Sequence, residues 1–188
     1  MYKTIKFFRH GETTWNMEKR LQGWLDSPLT VQGRTQVQSQ LWKADYVISS
    51  DLGRAFETAQ LLFPQQAIHT DQRLREIYLG EWQGCSIIDL QYTEEYKCYS
   101  NTPHLFCPST QESFESVTAR MQNVFQELLL LPYENIAVVS HGVAIACFMN
   151  FYEEDTRQNI WQYLLHGGES FTIQELCEST KLIREKTE

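Results

Sequence analysis

The chain has 188 residues, enough for one domain with a sizeable core, and its hydrophobic and charged fractions of 42% and 21% are typical of a soluble globular protein. Its formal net charge of −8 argues against a nucleic-acid-binding surface, because such surfaces need clustered lysine and arginine. No apolar stretch approaches the roughly 20 residues that a membrane-spanning helix needs, so no membrane partner is expected.

The cysteines and the start of the chain favour a reduced, cytoplasmic protein. Five cysteines are scattered at residues 85, 98, 107, 147 and 177, and none forms the C-x-x-C pair of a zinc knuckle or a redox site. The first residues resemble a strand rather than a signal peptide. We therefore expect one domain over residues 1–188, with no metal site of that type.

Strand-like and helix-like patterns alternate along the chain, which predicts a mainly parallel sheet covered by helices. For the helix at 29–43, Thr30 is the expected N-cap and Val31, Val37 and Leu41 are the expected apolar positions. The last dozen residues are polar and are expected to fray. In chain order the predicted elements are a strand at 4–8, helix 29–43, strand 46–49, helix 51–62, strand 67–69, weak helix 87–99, loop 100–108, helix 113–131, strand 136–139, helix 143–151 and strand 170–174.

A histidine and a glycine follow a predicted strand at two distant places. Arg9, His10 and Gly11 follow the first strand, and His141 and Gly142 follow the strand at 136–139. Open α/β sheets place ligands in the crevice beyond the carboxyl ends of their strands. Two histidines at one edge, the first beside an arginine, suggest chemistry on an anion, and the N-terminal amides of the helix after His141 would favour that anion.

Two further turns supply the other groups that metal-free phosphoryl transfer requires: positive charge and an acid. Arg54 lies in the first turn of the helix at 51–62, and Glu76 precedes a glycine-punctuated turn. Each of these residues alone is more often a surface charge or a helix cap than a ligand. The sequence holds no P-loop, no G-x-G-x-x-G, no H-E-x-x-H and no G-x-S-x-G motif.

Five segments in the correct order resemble the histidine phosphatase superfamily, in its phosphoglycerate-mutase-like branch. One such match is moderate evidence, whereas five in order are strong. The segments are FRHGETTWN at 8–16, GWLDSPLTVQG at 23–33, SDLGRAFETA at 50–59, LREIYLGEWQG at 74–84 and VSHG at 139–142.

The resemblance implies a three-layer α/β/α fold and a phosphohistidine mechanism without metal or cofactor. In that mechanism His10 is the nucleophile, Glu76 is the acid, and a clamp surrounds the phosphoryl group. The clamp residues are Arg9, Arg54 and His141. Asn16, and less strongly Gln22, match positions that contact the phosphoryl group, and Gly142 belongs to the second histidine motif.

Aromatic residues near these motifs have two possible roles, in the substrate pocket or in packing. Trp15, Trp24 and Trp82 adjoin motif residues. Tyr92, Tyr96 and Tyr99 fall in an insertion at about 85–112, where we expect substrate choice to be made.

Three functions remain open at this stage. The resemblance to small-metabolite phosphatases, of the α-ribazole-phosphate and broad-specificity types, favours hydrolysis of a small phosphorylated metabolite. A cofactor-dependent phosphoglycerate mutase is less favoured. A mutase must retain a bisphosphorylated intermediate, which needs extra positive charge, whereas the region 85–114 holds one lysine, Lys97, and no arginine. A non-catalytic module that binds a phosphorylated ligand is disfavoured by the presence of all five catalytic-type residues. The residues after His141 and those at 165–170 differ from the usual pattern of the family, which leaves the substrate unnamed.

Overall fold

The computed structural model describes residues 2–38 and 42–176, and for Gln38 it describes the backbone alone. Within these residues one five-stranded sheet has the order β3-β2-β4-β1-β5. The first four strands of the chain run parallel, and β5 pairs antiparallel with β1 at the edge. The strands are β1 (Tyr2–Arg9), β2 (Tyr46–Ser49), β3 (Ile68–Thr70), β4 (Asn135–Ser140) and β5 (Ser170–Leu176).

Helices cover both faces of this sheet, so the three-layer α/β/α prediction is confirmed. The α-helices are α1 (Thr14–Met17), α2 (Val31–Gln38), α3 (Gly53–Leu62), α4 (Ile87–Leu90), α5 (Glu94–Asn101), α6 (Phe114–Leu130) and α7 (Gly142–Tyr152). Short 3₁₀ helices lie at Gln72–Leu74, Gly80–Trp82, Pro103–Leu105 and Arg157–Tyr163.

The two central strands are buried on both faces because their side chains alternate between two cores. Phe7 and Val138 point to the larger core beneath α6 and α7, whereas Phe8 and Val139 point to the smaller core beneath α3. Arg9 pairs with Ser140 in the register of β1 and β4, so both strands end at the same level. The residues that follow them, His10 and His141, are thereby brought to one edge.

The helix predicted at 29–43 was only partly correct. Thr30 caps it as expected, with the Gly33 N–H donating to its Oγ1 at 2.8 Å, and Val37 is buried. Val31 is 80% exposed, so its predicted core position was wrong. Leu41 lies outside the described residues.

The weak helix predicted at 87–99 is two short helices, α4 and α5, which begin after the capping residues Ser86 and Thr93. Residues 177–188, which include Cys177 and the tail expected to fray, lie outside the described residues. The assignment of residues 1–188 to one domain stays a prediction. Among the described helices, none has the length and apolar content to cross a membrane.

Candidate active site

His10 and His141 lie side by side where β1 and β4 end. Their ring centroids are 5.2 Å apart, and the two residues are 2% and 0% exposed. The sequence prediction that two histidines share one sheet edge is therefore met by the structure.

Two hydrogen bonds fix the protonation of the His10 ring. Its Nδ1 lies 2.7 Å from the Gly11 carbonyl oxygen, which can only accept, so Nδ1 carries the proton. Its Nε2 receives the Nε–H of Arg54 at 3.3 Å, which requires a lone pair there. Burial, reinforced by the charges of Arg54 and Arg9, holds the pKa of His10 well below its usual range. The ring is therefore neutral, with a nucleophilic Nε2.

The segment after α1 holds Arg54 against His10. The Arg54 Nη1 donates to the Leu25 carbonyl at 2.8 Å and to Asp26 Oδ1 at 2.9 Å, and its Nη2 donates to the Gly23 carbonyl at 2.8 Å. The Arg54 side chain is only 1% exposed. The GWLDSPLTVQG segment thus supplies the acceptors that orient a buried guanidinium.

Arg9 is the second arginine beside His10. Its Nη1 donates to the Leu165 carbonyl, while its buried Nε has no partner among the described residues. A Cβ on Gly142 would lie 3.0 Å from Arg9 Cζ and 3.0 Å from Leu164 Cδ1. Glycine at position 142 therefore leaves the space that the guanidinium of Arg9 occupies.

His141 stands behind His10 and does not form part of the cavity wall. Its Nε2 is 2.8 Å from Ser50 Oγ, and its buried Nδ1 has no partner among the described residues. Burial and the charge of Arg54 hold the pKa of His141 well below its usual range. Buried polar atoms are nearly always paired in native proteins, so the unpaired Nε–H of Arg9, in the cavity wall, indicates a site for a ligand that accepts hydrogen bonds.

Glu76 caps the N-terminus of α7. Its Oε1 accepts from the backbone N–H groups of Ile77 at 3.0 Å and Ala144 at 2.9 Å, and its Oε2 accepts from Val143 N–H at 3.2 Å. The sequence predicts that these helix amides favour a bound anion. The anion that two of them hold, at Val143 and Ala144, is the protein's own carboxylate, which the helix terminus attracts for the same electrostatic reason.

Arg120 on α6 fastens the loop that carries Glu76, and sequence reasoning missed it. It donates to the carbonyl oxygens of Arg73, Arg75 and Glu76 at 2.5–3.0 Å and pairs with Glu112. The sequence signal was weak, because Arg120 lies at the border of the apolar stripe of α6 and leaves that stripe uninterrupted.

A cavity of about 360 Å³ opens in front of these groups. Four of the five predicted catalytic residues lie in its wall, and so do the predicted binding residues Asn16, Gln22 and Gly142. Asn16 Oδ1 accepts from Thr13, and Gln22 Oε1 accepts from Ser27, so both amide nitrogens are left to donate. The four catalytic residues are Arg9, His10, Arg54 and Glu76.

The rest of the wall is largely apolar. Tyr96 and Tyr99 both line the cavity and pack within an aromatic cluster, so a packing role is observed and contact with a substrate stays a prediction. Tyr92 is 76% exposed. The predicted tryptophans are outside the wall, and Trp24 instead donates its Nε1–H to the Glu76 carbonyl at 2.8 Å. The apolar wall residues are Leu21, Ile77, Leu79, Ile87, Val143, Trp161 and Leu164.

Comparisons with known proteins identify the family of this chain. The model of the histidine phosphatase superfamily (branch 1) matches residues 5–185. The chain belongs to the histidine phosphatase superfamily. It is 37% identical over 159 residues to the "Probable phosphoglycerate mutase GpmB" of Proteus mirabilis, covering 78% of this chain and 73% of that relative.

Solved structures of this superfamily share the fold. Bacillus stearothermophilus YhfR superposes with a TM-score of 0.83 at 31% identity, covering 91% of this chain and 90% of that one. A putative alpha-ribazole-5'-P phosphatase of Escherichia coli K-12 superposes with a TM-score of 0.80 at 26% identity, covering 92% of this chain and 90% of that one. The phosphoserine phosphatase of Entamoeba histolytica, in complex with 3-phosphoglyceric acid, superposes with a TM-score of 0.80 at 27% identity. That match covers 90% of this chain and 89% of the other.

Proposed function

We propose that this histidine phosphatase hydrolyses the phosphomonoester of a small metabolite, without a metal ion, through a phosphohistidine on His10. The observation that carries the proposal is a buried, neutral histidine whose Nε2 lone pair faces a cavity between the buried Arg54 and the half-buried Arg9. Such a group can accept a phosphoryl group, and the arginines can balance the charge that develops on its oxygens.

In the first step His10 Nε2 forms a bond to phosphorus while the bond from phosphorus to the ester oxygen breaks. The 3.3 Å contact from Arg54 Nε to His10 Nε2 is long and is exchanged for one to a phosphoryl oxygen. Arg9 Nε, which has no partner among the described residues and lies in the cavity wall, is the further donor that we assign to those oxygens. The Nδ1 of His141 would join it only in the tautomer in which Ser50 Oγ donates to Nε2.

Glu76 gives the proton to the leaving oxygen in this mechanism. Oε1 accepts two backbone N–H groups and Oε2 accepts one, at the longer distance of 3.2 Å, so we assign the proton to Oε2. In the second step Glu76 takes a proton from water as the water oxygen attacks phosphorus. The bond from phosphorus to His10 then breaks, and inorganic phosphate leaves.

A phosphoglycerate mutase remains the second candidate, because the Proteus relative carries that name. The insertion at about 85–112 has one lysine and no arginine, which disfavours a mutase. A mutase would convert 3-phosphoglycerate to 2-phosphoglycerate, with stimulation by 2,3-bisphosphoglycerate, faster than it released phosphate.

The proposal is tested by hydrolysis of p-nitrophenyl phosphate and of sugar phosphates with EDTA present. We expect phosphate release that EDTA leaves unchanged and that His10→Ala abolishes. Dependence on added Mg²⁺, or turnover by His10→Ala equal to that of the wild type, would refute the mechanism.

A further inference from the structure

The cavity carries more positive charge than its phosphoryl-binding end uses. Among the described residues its wall includes four basic side chains and one carboxylate, Glu76, although the whole chain has a net charge of −8. Arg9 and Arg54 account for two of the four. The other two, Lys19 and Arg20, come from the turn after α1. A local positive region in an acidic protein concentrates anions at that place.

Other groups of the protein already contact one of these two cations, Arg20. Arg20 donates to the Gly84 carbonyl, lies 3.4 Å from Glu18 Oε2 and sits over the ring of Trp15. Lys19 differs, because its exposed ammonium group forms no ion pair or hydrogen bond with the described residues. It is therefore an unpaired, exposed positive charge in the wall of the cavity.

The backbone holds Lys19 at this place in an unusual conformation. Its φ of 53° is in the left-handed region, which costs a non-glycine residue free energy. The Lys19 N–H donates to the Asn16 carbonyl at 3.1 Å, and its own carbonyl accepts from Ile87 N–H at 2.9 Å. The neighbouring Leu21 exchanges backbone hydrogen bonds with residues 84 and 85. These bonds tie Lys19 to the start of the insertion.

We propose that Lys19 determines specificity by binding a carboxylate on the leaving group of the substrate. Arg9 and Arg54 flank the phosphoryl position and balance the charge of the phosphoryl group. The unpaired ammonium group of Lys19 is left to balance one further negative charge on the substrate. A carboxylate carries a single charge, whereas a second phosphate would bring up to two. The inference rests on the proposed function and narrows its substrates to phosphomonoesters that bear a carboxylate.

The test compares 3-phosphoglycerate with glycerol 3-phosphate, in which a hydroxymethyl group replaces the carboxylate. Lys19→Met removes the charge and keeps an unbranched side chain, and Lys19→Arg restores the charge. Lys97→Met is the matched control, because Lys97 pairs with Glu94 on α5 and is not in the cavity wall. Phosphate release is measured with EDTA present, and p-nitrophenyl phosphate reports on the catalytic groups alone.

We expect the wild type to prefer 3-phosphoglycerate. Lys19→Met lowers its kcat/KM for that substrate about 3- to 5-fold, mainly through KM, as for a partly screened ion pair. Its activity on the other two substrates stays within about twofold, Lys19→Arg retains the preference, and salt near 1 M weakens it in the wild type.

An equal loss on all three substrates would show a structural role for Lys19, and no loss on 3-phosphoglycerate would show no contact. Either result overturns the inference while hydrolysis of p-nitrophenyl phosphate still supports the proposed function. Absence of hydrolysis by the wild type would refute the proposed function and this inference with it.

Discussion

The Nε of Arg54 lies 3.3 Å from the Nε2 of His10, so the guanidinium already faces the nitrogen that we propose as the nucleophile. This contact adds to the burial that keeps the His10 ring neutral, and it places a positive charge where phosphoryl oxygens would lie. Asp26 and two backbone carbonyls hold the other end of the guanidinium, so it does not reorganise when substrate binds.

Replacing Glu76 with glutamine should separate substrates by their leaving groups. The variant cannot donate a carboxylic proton, so hydrolysis of an alkyl phosphate should fall by about 10²–10⁴-fold. Hydrolysis of p-nitrophenyl phosphate should fall much less, because nitrophenolate leaves without a proton. Glu81→Gln, at an exposed neighbouring position outside the cavity wall, is the control. Equal losses on both substrates would count against Glu76 as the acid.

Replacing Gly142 with alanine should displace Arg9. The added Cβ would lie 3.0 Å from Arg9 Cζ, and a displacement of about 1 Å in a positioning group can lower the rate about 10²-fold. The measurement is kcat/KM for p-nitrophenyl phosphate, with thermal unfolding as the check on folding.

The control for this variant is the double change Gly142→Ala with Leu164→Ala, which removes the other 3.0 Å contact. Activity should stay low in the double variant. Recovery would show that Leu164, rather than Arg9, is the neighbour that the Cβ disturbs.

Replacing Arg120 with methionine should loosen the loop that carries Glu76. Three backbone carbonyls and Glu112 each lose a donor. Because the Arg120–Glu112 pair is partly exposed, the loss of stability should stay below the about 3–5 kcal/mol of a fully buried pair. Because Glu76 then shifts, alkyl phosphates should lose more activity than p-nitrophenyl phosphate.

The matched control for this change is Arg157→Met, which breaks an ion pair with Glu115 whose two side chains are both more than 40% exposed. It should change the free energy of unfolding by no more than about 1 kcal/mol. A uniform loss on both substrates in Arg120→Met would assign Arg120 a role in stability alone.

Stability should fall as the pH drops below about 6.5, the ordinary histidine pKa. Burial first, and then the neighbouring arginines, lower the folded-state pKa of His10 and His141. Between that lowered pKa and 6.5 the unfolded chain binds more protons than the folded protein, so unfolding becomes easier with each proton bound. The slope should reach about 1.4 kcal/mol per pH unit for each histidine.

Urea unfolding between pH 5 and 7.5 measures this slope. His10→Gln should reduce it by the contribution of one histidine, while the exposed His104→Gln should leave it unchanged. Asp71 and Glu112, whose carboxyl pKa values are lowered, lose their contribution only as the pH falls below about 4.5, outside the window. A slope that His10→Gln leaves intact would contradict a buried neutral His10.

The sequence predicted the meeting of His10 and His141 well, because parallel strands with matched ends bring the residues after them together. It could not reveal how Glu76 is held, since the partners at Val143 and Ala144 are 67 and 68 residues away. Such contacts depend on tertiary packing rather than on local pattern. The same limit applies to Val31, whose helical spacing suggested the core although the helix turns that side chain to solvent.

The most direct test of the central claim is detection of a phosphoryl group on His10. The protein is mixed with p-nitrophenyl phosphate, quenched at alkaline pH within one turnover and digested for mass spectrometry. We expect one added phosphoryl group on the peptide that contains His10, in the wild type and more abundantly in Glu76→Gln, and none in His10→Ala. Turnover without phosphorylation of His10, or a phosphoryl group on another residue, would contradict the account.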